Sequence, residues 1–266
     1  MAVTPISRTV VITGASSGIG KALALRYARD RAAVLGLLGR SGGRLQAVAD
    51  ECRRRGAVVQ TATLDVRARY EMEQWLKNFD TNTPIDILIA NAGVMAGRHL
   101  DTDIESSPDS YALLETNVLG VLNSIQPILP QMMARRRGQI GIMSSIAAFI
   151  PLPDAPSYCA SKSAVLTYGL ALRGALRKLG IGVSVICPGY VMTPMTQQES
   201  GWKPFVIAPE SAADAIVRGL QRNRSIIAFP FLFALLTRLG GLLPNSVQRW
   251  TVPRFTVSER AQKDAE

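Results

Sequence analysis

Short apolar runs rich in β-branched residues alternate along this chain with longer amphipathic stretches. Runs that are apolar on both faces and separated by helices indicate a buried parallel sheet. We therefore predict a doubly wound, Rossmann-like α/β fold with a seven-stranded parallel sheet and helices on both faces. The predicted strands are Thr9–Thr13, Ala33–Leu38, Val58–Leu64, Ile85–Ala90, Gln139–Met143, Gly182–Cys187 and Ser225–Ala228. The predicted helices are Ile19–Arg31, Ser41–Arg55, Ala68–Phe79, Ser110–Arg136, Ser157–Leu179 and Pro209–Asn223, with a break expected at Pro127 and Pro130.

The 266 residues contain no internal repeat and no linker, so we predict one Rossmann-like domain over residues 1–228. Residues 229–266 are predicted to form an apolar helical extension and a polar tail packed on the same domain. The apolar run Phe229–Pro244 is too short and too interrupted to span a membrane. We expect it to pack against a lid or a second subunit. The alternative is peripheral contact of residues 229–250 with anionic lipid, helped by Arg222, Arg224, Arg249 and Arg254.

The chain has a formal net charge of +10, which leaves a membrane or an anionic ligand open as partners. Only this charge favours nucleic acid, because no basic surface is interleaved with aromatic residues, and we predict no nucleic-acid partner. Cys52, Cys159 and Cys187 are far apart, which predicts free thiols in a reducing compartment. No apolar signal run precedes Thr9, so we predict a cytoplasmic location, with the inner face of a membrane as a peripheral site.

A glycine-rich turn, Thr13–Gly20, links the first predicted strand to the first helix. Its glycines permit a tight turn, and the helix N-terminus offers free N–H groups and positive partial charge to a diphosphate. A glycine turn alone is weak, but its place between strand and helix predicts a dinucleotide site. No acidic residue lies between Asp30 and Asp50, and Arg40 ends the second strand. Since an acidic residue there would favour a free ribose hydroxyl, we predict NADP(H), with NAD(H) as the alternative.

Tyr158 and Lys162 are four residues apart in a predicted helix and therefore share one face. A free phenol has a pKa of about 10, and a neighbouring ammonium stabilises the phenolate, so the pair suits proton transfer near neutral pH. Such a pair is usually a surface pair when nothing else accompanies it. Its chemical meaning depends on the other motifs of the chain.

Those motifs make the chain similar to the short-chain dehydrogenase/reductase family from Thr9 to about Ala228. The matching segments, in family order, are Thr13–Gly20, Asp65-Val66, Asn91-Ala92-Gly93, Asn117, Ser144-Ser145, Tyr158 with Lys162, and Pro188-Gly189 followed by Thr193. The resemblance implies a carbonyl reductase or alcohol dehydrogenase with Tyr158 as general acid/base, Ser145 on the substrate oxygen and Lys162 on the nicotinamide ribose. It also implies that Asn117 holds a water of a proton path.

The same resemblance implies the cofactor contacts. The implied residues are Gly14, Ser16, Ser17, Gly18, Ile19, Gly20, Arg40, Asp65, Val66, Asn91, Ala92, Gly93, Tyr158, Lys162, Pro188, Gly189, Val191 and Thr193. Ser17 occupies a position that is often basic in members that use NADP(H). Thr193 has a structural alternative as the N-cap of a helix, because Pro194 follows it. No spacing suits a metal, since His99 is the only histidine and only Asp101, Asp103 and Glu105 surround it.

Three variable pieces are implied to hold the substrate: Val94–His99, Ile146–Pro156 and the lid Tyr190–Ala208, which offers Met192, Met195, Trp202 and Phe205. Their apolar character favours an apolar or lipid-like substrate. We therefore expect an NADP(H)-dependent oxidoreductase that interconverts a carbonyl and a secondary alcohol, as a homodimer or homotetramer. The alternatives are a dinucleotide-binding regulator with little catalysis and a membrane-docked assembly protein.

Overall fold

The computed structural model describes residues 8–29, 33–97, 104–197, 203–244 and 246–247. Several residues singled out above lie outside these ranges: His99, Asp101, Asp103, Trp202, Arg249 and Arg254. The three cysteines lie inside them and are separate, buried thiols.

Seven parallel strands form one sheet, as predicted, in the order β3-β2-β1-β4-β5-β6-β7. Their bounds are β1 Thr9–Thr13, β2 Val34–Gly39, β3 Val58–Thr63, β4 Ile87–Ala90, β5 Gly138–Met143, β6 Ile181–Pro188 and β7 Ile226–Phe229. The order reverses between β1 and β4, where Val10 pairs with Ile87 and Ile12 with Ile89. In open α/β sheets this switch point leaves a crevice at the carboxyl ends of the strands, and ligands bind there.

Helices cover both faces of the sheet, and a separate apolar core lies on each side. Their bounds are α1 Gly18–Tyr27, α2 Gly42–Arg54, α3 Arg69–Asn82, α4 Ser107–Leu114, α5 Gly120–Ile125, α6 Leu129–Ala134, α7 Pro156–Leu176, α8 Pro194–Gln197, α9 Pro209–Gln221 and α10 Phe231–Gly240. Residues of α1, α2 and α9 fill one core, and residues of α3, α5, α6 and α7 fill the other. These layers establish the doubly wound class.

The single helix predicted at Ser110–Arg136 is wrong in its start and in its continuity. The helix α4 begins at Ser107, because the Ser106 hydroxyl accepts a hydrogen bond from the Asp109 N–H at 3.2 Å and caps it. A π-helical turn, Glu115–Leu119, interrupts the stretch, and a 3₁₀ turn follows at Gln126–Ile128, which contains Pro127. The break at the prolines is confirmed. The first helix is also shorter than predicted and ends at Tyr27.

The apolar extension forms α10, whose Ala234 is buried against the rest of the chain. A Cβ added to Gly241 would stand 1.9 Å from the Phe149 carbonyl oxygen, so the two backbones lie very close together. Two of the four arginines expected to help α10 meet lipid, Arg222 and Arg224, are described, and they are not beside it. Arg222 and Arg224 precede β7, whereas α10 follows β7, so they lie at the opposite end of that strand. No helix in the described part of the chain combines the length and the apolar character needed to cross a membrane.

Candidate active site

The turn between β1 and α1 is shaped by glycines that no other residue would replace without strain. Gly14 and Gly18 have φ angles of +66° and +52°, in the left-handed region. A Cβ on Gly20 would stand 2.2 Å from the Gly14 carbonyl oxygen. The backbone therefore folds tightly at the N-terminus of α1, where it forms the cradle that a diphosphate requires.

Asn91 braces this cradle from the end of β4. Its side-chain amide donates to the carbonyl oxygens of Thr13, at 2.9 Å, and of Gly14, at 3.2 Å. The Thr13 hydroxyl accepts in return from the backbone N–H groups of Asn91 and Ala92, at 3.1 and 3.0 Å. Asn91 therefore stabilises the turn, and it also lines the groove described next.

A groove of about 210 Å³ runs from this turn across the ends of the strands. The residues that were expected to bind the cofactor and that line it are Gly14, Ser16, Ser17, Gly18, Ile19, Gly20, Arg40, Asp65, Val66, Asn91, Ala92, Gly93 and Thr193. Arg44, which was not predicted as a site residue, lines the same groove from the first turn of α2. Arg44 follows Arg40 by four residues, and this spacing was the sequence signal that could have identified it. The two guanidinium groups give the groove a cationic end.

Asp65 is held by Arg67, two residues later. Its carboxylate accepts from the Arg67 backbone N–H at 2.9 Å and from the Arg67 guanidinium at 2.7 Å. The Arg67 side-chain hydrogen bond is the main cause that lowers the pKa of Asp65, and the charge of Arg40 also contributes. Asp65 is thus fixed as a carboxylate at the wall of the groove.

Lys162 lies buried below Tyr158 in α7, with 4% of its surface exposed. Its Nζ donates to the Met143 carbonyl oxygen at 3.3 Å and stands 5.5 Å from the centre of the Tyr158 ring. Burial lowers the pKa of Lys162 to about 8. A Cβ on Gly93 would stand 3.3 Å from Nζ, so the glycine keeps the space beside the ammonium open.

Asn117 occupies the π-helical turn, a feature often found at functional sites. Its side-chain amide donates to the Val94 carbonyl oxygen at 2.9 Å and to the Ser161 hydroxyl at 3.1 Å, and its Oδ1 accepts from the Val94 N–H at 2.8 Å. The side chain is fully buried. It thereby ties the loop after β4 to α7, and the proton path through a water at Asn117 stays a prediction.

The two serines after β5 have different surroundings. The Ser144 hydroxyl is buried and donates to the Lys162 carbonyl oxygen at 2.8 Å, so it fastens β5 to α7. The Ser145 hydroxyl accepts from the Ala147 N–H at 3.1 Å and donates to the Pro188 carbonyl oxygen at 3.5 Å. The Ser145 side chain is half-buried and, with Tyr158, lines a large cavity.

Thr193 stands where the groove and this cavity meet, since it lines both. Its hydroxyl also accepts from the Thr196 N–H at 3.3 Å and caps α8. Thr193 therefore caps a helix, which is the structural alternative given above, and it also lines both the groove and the cavity. Pro188, Gly189 and Val191 line the cavity and not the groove.

The cavity has a volume of about 620 Å³ and an apolar wall. All three predicted substrate pieces contribute, and the apolar contributors from them include Met95, Ile146, Ile150, Leu152, Val191, Met195 and Phe205. Met192 does not line the cavity and is 58% exposed. None of the described residues that line it carries a charge.

Helix α10 completes the wall of the cavity, a role that was not predicted for it. Phe233, Leu236, Leu239, Gly240 and Leu243 line the cavity from this side. The Phe233 ring lies 6.1 Å from the Tyr190 ring and 5.9 Å from the Phe205 ring, measured between centroids. Phe233 of α10 therefore contacts two residues of the segment named above as the lid. Among the described residues, no group of three or more His, Cys, Asp or Glu side chains is placed to hold a metal.

Fold and site together define a nucleotide-binding α/β protein with a tyrosine–lysine pair between its two cavities. The short chain dehydrogenase family model matches residues 8–204. The chain belongs to the short-chain dehydrogenase/reductase family, and it is an oxidoreductase.

Two relatives show how far the similarity extends. An uncharacterized oxidoreductase of Myxococcus xanthus is 34% identical over 241 residues, which cover 90% of this chain and 93% of that protein. The 17-beta-hydroxysteroid dehydrogenase 13 of Mus musculus is 31% identical over 230 residues, covering 84% and 74%.

Solved structures share the architecture. A short-chain dehydrogenase from Sphingobium yanoikuyae in complex with NADPH has a TM-score of 0.76 and 26% identity, covering 97% of this chain and 98% of its own. A short chain dehydrogenase from Mycobacterium paratuberculosis bound to NAD has a TM-score of 0.74 and 25% identity, covering 85% and 96%.

Proposed function

We propose that this protein interconverts a carbonyl and a secondary alcohol on an apolar, lipid-like substrate, with NADP(H) as the preferred cofactor. One observation carries the proposal: Tyr158 and Ser145, which each carry a hydroxyl group, line an uncharged and mostly apolar cavity next to the cofactor groove. Thr193 borders both spaces, so a substrate carbonyl beside Tyr158 lies near whatever fills the inner end of the groove.

The groove fits a dinucleotide by its shape. Gly14 and Gly18 have left-handed backbone conformations, and Gly20 packs closely against the Gly14 carbonyl, so the backbone of the turn can approach a diphosphate at the start of α1. When bound, a nicotinamide dinucleotide supplies or accepts a hydride. The residues that would hold it are those lining the groove, and Lys162 Nζ lies beside one of them, Gly93.

In the direction of reduction, Tyr158 donates its phenolic proton to the substrate oxygen while the carbonyl carbon gains the hydride. Ser145 donates a hydrogen bond to the same oxygen and so stabilises the negative charge that develops on it. The ammonium of Lys162 favours the phenolate that the transfer leaves on Tyr158. In the direction of oxidation, the phenolate takes the proton back from the alcohol.

The preference for NADP(H) rests on Arg40 and Arg44 at the groove. Two guanidinium groups suit the additional phosphate of NADP(H), because charge-assisted, bidentate hydrogen bonds to phosphate are strong. The nearby Asp65 offsets them only in part, because Arg67 already engages its carboxylate. The solved relatives carry NADPH in one case and NAD in another, so NAD(H) remains the alternative.

The substrate class follows from the cavity wall. An uncharged wall of Leu, Ile, Met and Phe side chains favours an apolar molecule, and a buried charge there would lack a partner. The murine relative is named a hydroxysteroid dehydrogenase, which supports an apolar secondary alcohol here. The test is a panel of neutral ketones of increasing size, from acetophenone to a steroid ketone, assayed by NADPH oxidation. Matched ketones carrying a carboxylate should react at least about 10-fold more slowly.

A peripheral membrane contact through residues 229–250 is a second proposal, favoured by exposed apolar side chains of α10 and of the turn after it. Phe231, Leu232 and Leu242 are 76%, 56% and 79% exposed. Flotation with liposomes of phosphatidylcholine and phosphatidylserine tests it, with Phe231→Ser and Leu242→Ser together as the variant. If the wild-type protein does not float with these liposomes at any salt concentration, this proposal is wrong.

A homodimer or homotetramer and a cytoplasmic location stay predictions, to be checked by light scattering and cell fractionation.

A further inference from the structure

The catalytic helix α7 has no cap of its own at its N-terminus. Ala155 precedes its first turn and has no side-chain oxygen that would accept a hydrogen bond. Pro156 follows and has no N–H. Ser157 therefore carries the first N–H group of the helix that needs a partner, and its neighbour in the chain is Tyr158.

Glu105 supplies that partner from a distant part of the chain. The Ser157 N–H donates to both carboxylate oxygens of Glu105, at 3.2 and 3.1 Å, across a separation of 52 residues. The Ser110 hydroxyl donates to Oε2 of the same carboxylate at 3.2 Å. Glu105 directly precedes Ser106, the N-cap of α4, so one carboxylate joins the starts of two helices.

The charge of Glu105 suits this place. A carboxylate at a helix N-terminus complements the positive end of the helix dipole. Its field reaches the first turn of α7. The pKa of the Cys159 thiol is raised, by burial first, and the Glu105 charge adds to the increase.

We propose that Glu105 is a positioning residue for Tyr158: it caps α7 from outside and fixes the first turn so that the phenol faces the substrate oxygen. The inference rests on the proposed function, since position matters here because Tyr158 transfers a proton. Lys162 lies one turn further along and is anchored separately, by its bond to the Met143 carbonyl. Loss of Glu105 therefore moves Tyr158 relative to an ammonium that stays in place.

Two substitutions separate the hydrogen bond from the charge. Glu105→Ala removes the acceptor, whereas Glu105→Gln keeps an oxygen that accepts from the Ser157 N–H. With NADPH and the fastest ketone of the panel above, we expect kcat to fall about 10- to 100-fold in Glu105→Ala, because small misplacements of a reacting group have effects of this size. The KM for NADPH should stay within about 2-fold, and Glu105→Gln should keep kcat within about 3-fold of the wild type.

Ser106→Ala is the matched control. It removes the side-chain cap of α4, at the neighbouring residue, and leaves the Glu105–Ser157 contacts in place. Both alanine variants should lower the melting temperature, but only Glu105→Ala should lower kcat. An equal loss of kcat in the two variants would show that kcat follows stability, and would overturn the proposal.

A second readout does not depend on turnover. Ring-labelled tyrosine gives an NMR signal for Tyr158 that Tyr158→Phe assigns, and we expect it to shift in Glu105→Ala while staying in place in Glu105→Gln and Ser106→Ala. If the wild type reduces no ketone, the proposed function fails and this signal alone decides the role of Glu105. An unchanged Tyr158 signal in Glu105→Ala contradicts positioning, whatever kcat does.

Discussion

The ammonium nitrogen of Lys162 lies 5.5 Å from the centre of the Tyr158 ring, one helical turn away on the same face of α7. It is almost entirely buried, and burial lowers its pKa from the ordinary 10.5 to about 8. A positive charge held out of water destabilises the protein that contains it. We therefore expect the buried charge beside Tyr158 to have a measurable effect on folding.

We predict that Lys162→Met raises the stability of the protein without cofactor at pH 7. A decrease in pKa from 10.5 to about 8 corresponds to about 3 kcal/mol, from which the lost bond to Met143 subtracts. Between pH 8 and 10.5 the unfolded chain keeps the lysine proton and the folded chain loses it, so the stability of the wild type rises with pH across this window. The advantage of the variant should be largest below pH 8 and disappear near pH 10.5.

Urea unfolding at several pH values measures this difference. Lys77→Met is the control, because Lys77 is an exposed lysine that pairs with Glu73 on the surface of α3. Its effect should be small and nearly constant from pH 7 to pH 9. A stability difference for Lys162→Met that is the same at pH 7 and pH 10 would show that the buried charge is not its cause.

A second prediction concerns the cationic end of the groove. Arg40→Ala and Arg44→Ala should each lower kcat/KM for NADPH about 10- to 100-fold, the value of one or two charge-assisted hydrogen bonds, and leave kcat/KM for NADH within about 3-fold. Arg40→Asp should favour NADH, because its carboxylate can accept from a free ribose hydroxyl.

Arg222→Ala removes the same charge at the far end of β7 and serves as the control. It should leave both cofactors unaffected. If the Arg40 and Arg44 variants lose kcat/KM equally with NADPH and with NADH, the two arginines do not bind the additional phosphate of NADP(H).

A third prediction tests the contribution of α10 to the cavity. A Cβ on Gly240 meets only Ile150 Cδ1, at 3.6 Å, which is ordinary contact, so Gly240→Phe should fold and fill part of the cavity. We expect kcat/KM to fall about 10-fold or more for the largest ketone accepted and to change little for acetophenone, because a filled cavity excludes large molecules first.

Gly174→Phe is the control, since a Cβ there has no neighbour within 4 Å on the exposed side of α7. Gly174→Phe should not change the order in which the ketones rank by kcat/KM. A uniform loss for small and large ketones in Gly240→Phe would mean that the helix is disturbed and the cavity is not reshaped.

The strands were predictable because most are short apolar runs and β3 is rich in β-branched residues, and the observed bounds agree with the predicted ones to within two residues. The π-helical turn was not predictable, because it depends on hydrogen bonds between Asn117 and Val94, 23 residues apart. The cap of Glu105 on α7 and the place of Phe233 beside Phe205 are likewise set by tertiary packing. The helices, strands and motifs follow from local sequence patterns. The walls of the site depend on contacts between residues that are far apart in the sequence.

Tyr158→Phe gives the most direct test of the central claim, that Tyr158 transfers the proton to a ketone held in the apolar cavity. With NADPH and the fastest ketone of the panel, we predict a fall in kcat of about 100-fold or more, the contribution of one positioned acid, with NADPH affinity unchanged by fluorescence titration. Near-normal turnover by a variant that binds NADPH normally would contradict the claim.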